Sequence, residues 1–213
     1  MAYFYKRIAI TGENSEKQKK RYFANAQNIF LIWKRQHGER EKGTFKMKGR
    51  ECETCLNADQ IVKKSDRRIV FRGELDDVSA YVIYLIALYR ETCHPKLWQG
   101  LCQIRDNLIE ISVSEVKRQP VKYHSIWGLA QEQLRERSHD PQKYFGCGHL
   151  FQLDDSTSLE VARMNRLRTK VRKLECLAVE VFEEEYGIVA LLNQLSSAAY
   201  LLMLHCHIQR EME

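Results

Sequence analysis

The chain has 213 residues, 44% of them hydrophobic and 29% charged, which suits one domain with a full core and excludes a disordered chain. The formal net charge of +6 favours anionic partners such as nucleotides but is mild for this length. Basic runs occur at Lys17–Arg21 and Lys34–Glu41, and glutamates mixed into the second argue against a nucleic-acid face.

Residues 1–53 read as an N-terminal appendage. Tyr3–Ile10 is weakly strand-like, and Ser15 caps a short helix through Lys20 to Ala26. Ile29–Trp33 and Thr44–Lys48 suit a hairpin around His37–Gly43, with one long helix over 15–36 as the alternative. Thr11-Gly-Glu-Asn-Ser-Glu-Lys17 only loosely resembles a phosphate loop, lacks a second glycine and reads as a capped helix start. Met1-Ala-Tyr-Phe-Tyr-Lys6 has no apolar run of signal length, and the seven cysteines are an odd number, so reduced thiols and a cytoplasmic chain are expected.

Residues 54–213 read as an antiparallel bundle of four or five helices, so the fold class is mainly α. Leu75, Val78, Val82, Leu85, Ile86 and Tyr89 repeat at steps of three and four over 72–93. Pro95 opens a helix over 95–118 that stops before Pro120. A short helix near Leu129–Arg137 leads to the glycine-bearing loop Tyr144-Phe-Gly-Cys-Gly-His149. Ser156 or Ser158 caps a long helix to about Glu185, Gly187 interrupts, and the last helix runs over 188–210. The apolar run Leu191–Cys206 is broken by Asn193, Gln194 and Ser196, so it reads as a buried helix and no membrane span is expected.

Two constellations carry chemistry. Arg168, Arg172 and Glu175 fall on one helical stripe, where paired arginines repel by about 0.2–0.5 kcal/mol, so either an anion faces the stripe or it is a solvated face. A guanidinium fork matches phosphate oxygens and stays charged at any useful pH. Asn193, Ser196, Ser197 and Tyr200 form a polar seam in an otherwise apolar helix, and buried polar groups need partners from another helix or a ligand.

A third element, Ile69-Val-Phe-Arg72-Gly-Glu-Leu75-Asp76-Asp77-Val78, completes a pattern with Arg168-Thr-Lys-Val-Arg172-Lys-Leu-Glu175 and Leu192-Asn193-Gln-Leu195-Ser196. Together with Ser138-His139-Asp-Pro141, Tyr144-Phe145-Gly146 and His149, these resemble the cobalamin adenosyltransferases, most nearly the ethanolamine-utilisation branch, over about residues 54–205.

The resemblance implies transfer of the 5′-deoxyadenosyl group of ATP, held with Mg2+, to the cobalt of reduced cobalamin as substrate, releasing triphosphate. The cobalt is itself the nucleophile, so positioning and electrostatics carry the rate and no acid/base pair is required. It implies that Asp76 pairs with Arg168, that Arg172 contacts the phosphates, and that Glu175 and Asn193 complete the ATP site. It also implies a homo-oligomer, a trimer or dimer, with ATP at the subunit interface and the corrin on an apolar surface beside it. Candidate aromatics for that surface are Tyr81, Tyr84, Trp98, Trp127, Tyr144 and Phe145. A reductant protein is a further implied partner. The branch carries a metal motif of one histidine, paired cysteines and a further cysteine, of which this chain keeps only Cys52-x-x-Cys55 as a half-site for zinc or iron. His37, Cys147 and His149 are the remaining candidates to complete it. His205 and His207 point to opposite helix faces and form no metal pair. A corrinoid- or nucleotide-binding bundle without transfer activity is the alternative.

Overall fold

The computed structural model describes residues 51–57, 60–92, 94–150 and 152–211. The helix and hairpin expected within 1–50, and His37 and Lys17 with them, lie outside the described residues.

A short antiparallel hairpin leads into the helices. Strand β1 (Glu53–Asn57) pairs with β2 (Gln60–Lys63), Thr54 lying opposite Val62 and Cys55 opposite Ile61. Leu56 is the buried side chain of this hairpin. The compact unit that contains it runs from Arg50 to Glu213.

Helix α1 (Arg67–Tyr89) starts five residues before the expected Arg72, because Asp66 accepts the Arg68 amide at 2.9 Å and caps it. Its expected apolar stripe is buried with Phe71 added. Helix α2 (Pro95–Lys117) begins on its proline and ends where Arg118 turns left-handed at φ 52°. Helix α3 (Gln131–His139) and the single turn α4 (Pro141–Phe145) follow. Asp140 caps α4 through the Lys143 amide at 3.1 Å, and Gly146, at φ 71°, ends it. Helix α5 (Leu159–Phe182) is capped by Ser158, and α6 (Ile188–Glu211) closes the bundle.

The turn between α5 and α6 is tight and strained. Glu183 (φ 50°), Tyr186 (φ 60°) and Gly187 (φ 69°) all adopt the left-handed region, which glycine accepts and the other two disfavour. The Tyr186 carbonyl accepts the Val121 amide at 2.9 Å, so the turn is also held from the side.

Helix α1 packs on α2 and α5, and α6 packs on α5, α2 and α3, which closes a four-helix ring. Helix α6 is at its centre: Leu191, Leu192, Leu195, Ala198, Ala199 and all of Leu201–Leu204 are buried. It is long and apolar enough to cross a bilayer, contrary to the sequence expectation, but most of that surface is turned inward against α2, α3 and α5. At the α2–α6 contact a Cβ on Gly100 would come within 2.6 Å of Leu202 and 3.1 Å of the Trp127 indole, so any larger residue there would force Leu202 to move. Gln103, Asn107 and Glu110, one stripe of α2, hold the backbone of the strap over 122–127. Trp127 N donates to Gln103 at 2.8 Å, His124 N to Asn107 at 3.0 Å and Lys122 N to Glu110 at 3.2 Å.

Candidate active site at the α5–α6 seam

Helix α5 has two charged flanks. The flank toward α1 is zipped: Arg67 meets Glu180, Glu74 meets Lys173 at 2.5 Å, Asp77 meets Lys170, and Arg166 lies 5.2 Å over the Tyr81 ring. The flank toward α6 carries the predicted stripe. Arg168 is half-buried and donates from Nε and Nη2 to Asn165 Oδ1 at 3.1 and 3.0 Å. Burial first, then the neighbouring Arg172 charge, pull its pKa below the usual guanidinium range. Arg172 is exposed and has no hydrogen-bond or ion-pair partner among the described residues.

Helices α5 and α6 pack against each other as an antiparallel pair across the Glu183–Gly187 turn. Counting back from that turn at about 1.5 Å per residue puts Arg172 and Glu175 at the height of the Asn193–Tyr200 part of α6. Asn193 is exposed, Glu175 is partly buried, and Ser196 Oγ donates to the Asn193 carbonyl at 2.7 Å. An exposed guanidinium with a carboxylate three residues further along the same helix suits a phosphorylated nucleoside.

Asp76 is not part of this group within one chain. It is exposed on α1, a turn beyond Arg72, and one residue away from Asp77, which faces α5. That single step turns Asp76 about 100° from the α1–α5 seam.

The seam's partners are found at Tyr200. Its hydroxyl accepts the Leu150 amide at 3.0 Å and lies 3.2 Å from His149 Nδ1, so the loop after α4 is fastened to α6. Burial pushes the phenol's pKa up.

Sequence reasoning missed a charge cluster at the start of α1. Glu115 of α2 is 2% exposed and accepts from Arg68 at 2.8 Å and from Arg72 at 2.9 and 3.1 Å. Arg72 also donates to the Leu56 carbonyl at 2.7 Å, which ties the hairpin to the bundle. The only sequence signal was a glutamate in line with the apolar stripe of α2.

Cys52 and Cys55 are exposed on the hairpin. Among the described residues no three histidine, cysteine or carboxylate side chains gather as a metal site. Cys147 is partly buried and burial pushes its thiol pKa up, which disfavours the thiolate a metal needs; His149 is committed to Tyr200. The described residues thus supply two cysteine ligands, Cys52 and Cys55, fewer than a closed zinc or iron site requires. His205 stacks edge-on to Trp127 at 5.7 Å while His207 pairs with Glu211 at 3.1 Å, on different sides of α6. Of the candidate aromatics, Tyr84 and Trp98 are exposed, Tyr81 and Tyr144 are partly buried, and Trp127 and Phe145 pack on the core.

Residues 45–206 match the family described as cobalamin adenosyltransferase, well over half of the chain. The chain belongs to that family. Among curated cobalamin adenosyltransferases, corrinoid adenosyltransferase EutT of Salmonella typhimurium is 36% identical over 157 residues, covering 71% of this chain and 57% of that protein. Corrinoid adenosyltransferase EutT of Escherichia coli K12 is 35% identical over the same shares. The chain thus spans just over half the length of these curated relatives. Among solved structures, the PduO-type ATP:corrinoid adenosyltransferase from Lactobacillus reuteri shares the fold. A phenylalanine-to-histidine variant complexed with cobalamin and ATP superposes with a TM-score of 0.59 at 20% identity, covering 78% of this chain and 92% of that chain. An arginine-to-lysine variant complexed with ATP gives 0.59 at 19% identity, covering 78% and 95%.

Proposed function

We propose that this chain transfers the 5′-deoxyadenosyl group of ATP to the cobalt of reduced cobalamin. The observation that carries this reading is the exposed Arg172 guanidinium, which has no partner among the described residues, in a chain that belongs to this family. In the step, the cobalt(I) electron pair attacks C5′ of ATP and the C5′–O bond breaks. That bond's electron pair leaves with the triphosphate, and cobalt becomes formally cobalt(III). Arg172 grips the triphosphate, with Mg2+ arriving on the nucleotide, and stabilises the charge that builds on the leaving oxygen. Arg168, aimed by Asn165, adds a second positive centre one turn away. Glu175 and Asn193 orient the nucleoside so that C5′ faces the cobalt. The ATP and cobalamin bound by the Lactobacillus reuteri relative support both substrates.

The position of Asp76 supports a homo-oligomer. Its carboxylate is exposed and turned away from its own Arg168, so a second copy, in a dimer or trimer, brings the two together across the interface. Ethanolamine utilisation, a cytoplasmic setting and a reductant protein belong to the same reading, supported by the EutT relatives. A metal bound through Cys52 and Cys55 would need ligands from beyond the described residues.

The test is direct. Purified protein with ATP and chemically reduced cobalamin should form a light-sensitive alkyl-cobalt species, read from the corrin spectrum, and stoichiometric triphosphate. Binding of both substrates without either product would make the chain a corrinoid- and nucleotide-binding bundle instead.

A further inference from the structure

Asn165 stands inside α5, at a helical position where asparagine is a poorer choice than alanine. Its side chain is partly buried and holds Arg168. Oδ1 accepts from Nε at 3.1 Å and from Nη2 at 3.0 Å, so two of the guanidinium N–H groups meet one amide oxygen a turn away. Two bonds along one edge of a planar fork fix both its position and its plane. Nη1 of Arg168 has no partner among the described residues.

The neutral character of the holding group is the informative part. Elsewhere on α5 the long basic side chains rest on carboxylates, Lys170 on Asp77 and Lys173 on Glu74. A carboxylate at 165 would reach the same two N–H groups and cancel the charge it holds. An amide steadies the fork and leaves its charge whole for an anion arriving from outside the helix. Arg172, exposed and without a partner among the described residues, follows one turn along, so of two neighbouring positive charges only the first is tethered.

We propose that Asn165 is a positioning residue for adenosyl transfer, one that holds the Arg168 guanidinium toward the nucleotide's phosphate tail without neutralising it. The inference rests on reading the arginine pair as the nucleotide site. Asn165 acts through Arg168 and does not touch substrate. A tethered cation stabilises the charge building on the leaving triphosphate better than a mobile one, because it is already ordered when the C5′–O bond breaks.

Two substitutions separate tether from charge. Asn165→Asp keeps the size and both bonds but cancels the charge, so KM for ATP should rise about tenfold and kcat should fall about tenfold. Asn165→Ala keeps the charge and removes the tether, so kcat should fall about threefold while KM for ATP changes less than about twofold. Thermal melting should not fall in Asn165→Ala, since alanine favours the helix. Inorganic triphosphate, titrated into the full chain by calorimetry, should bind about tenfold more weakly to Asn165→Asp and within about twofold of native to Asn165→Ala.

Native kcat and KM in Asn165→Asp overturn the inference, as does a loss of transfer in Asn165→Ala that equals or exceeds the loss in Asn165→Asp. Should Asn165→Asp not fold, native kcat in Asn165→Ala overturns it. If the native protein binds triphosphate but makes no alkyl-cobalt species, the transfer reading fails separately, and native triphosphate affinity in Asn165→Asp then overturns the inference. A native protein that binds no triphosphate overturns the inference together with the nucleotide reading of the arginine pair.

Discussion

The two flanks of α5 use the same residue types to opposite ends. Toward α1, the basic side chains Lys170, Lys173 and Arg166 each have a carboxylate or an aromatic ring to rest on. Toward α6, Arg168 has only a neutral amide from its own helix, and Arg172 has no partner among the described residues. Neutralised charge marks where the chain holds itself together, and un-neutralised charge marks where it waits for something else. A count of basic residues on α5 would not separate the two; their angular position does.

The sharpest way to break this comparison is Arg172→Ala. It should lower adenosyl transfer by about 10²–10³-fold, the scale of losing one charged transition-state donor. Helix content by circular dichroism should not change, since the side chain is exposed and has no partner among the described residues. Normal transfer would remove Arg172 from the site.

Glu115→Ala comes next and probes stability rather than chemistry. It leaves Arg68 and Arg72, both about a quarter exposed, without their shared carboxylate. Denaturant unfolding should show a loss of about 2–3 kcal/mol, below the range for a fully buried broken pair because water reaches the two arginines. Amide exchange in β1 should rise as the Leu56 carbonyl loses its anchored donor.

Asp76→Arg tests whether a second copy completes the site. It should reduce both oligomer, read by sedimentation velocity, and transfer, by about tenfold. The double variant Asp76→Arg with Arg168→Asp should recover the oligomer. An unchanged sedimentation profile in Asp76→Arg would argue that the carboxylate meets nothing across an interface.

Lys173→Ala should do least. Its pair with Glu74 is exposed, so stability should shift by less than about 0.5 kcal/mol and transfer should not change. Equal effects from Lys173→Ala and Arg172→Ala would erase the distinction between the flanks.

Much of the bundle was legible because its signals are periodic and long. The apolar stripes of α1 and α2 and the buried character of α6 follow from spacing alone, as does the Pro95 start, while the cap of α5 was narrowed to Ser156 or Ser158 and is Ser158. The β1–β2 hairpin was not, because strands of five and four residues are too short for a periodic signal. The Glu115 cluster was hidden because its members lie more than 40 residues apart. The separation of Asp76 from Arg168 within the chain depends on one residue's rotation about α1, which a motif match ignores: Asp77 faces α5 and Asp76 does not.

The left-handed turn at Glu183–Gly187 acts as a phase lock for the whole site. Its three positive-φ residues leave little freedom in how α6 leaves α5, so a residue added or removed there would change the angle at which α6 enters the bundle. Asn193 and Ser196 would then shift relative to α5, and Leu195 would move with them. This hairpin bend is therefore the place where changes in loop length should be rarest among functional members of the family, although none of its residues is placed at the nucleotide site.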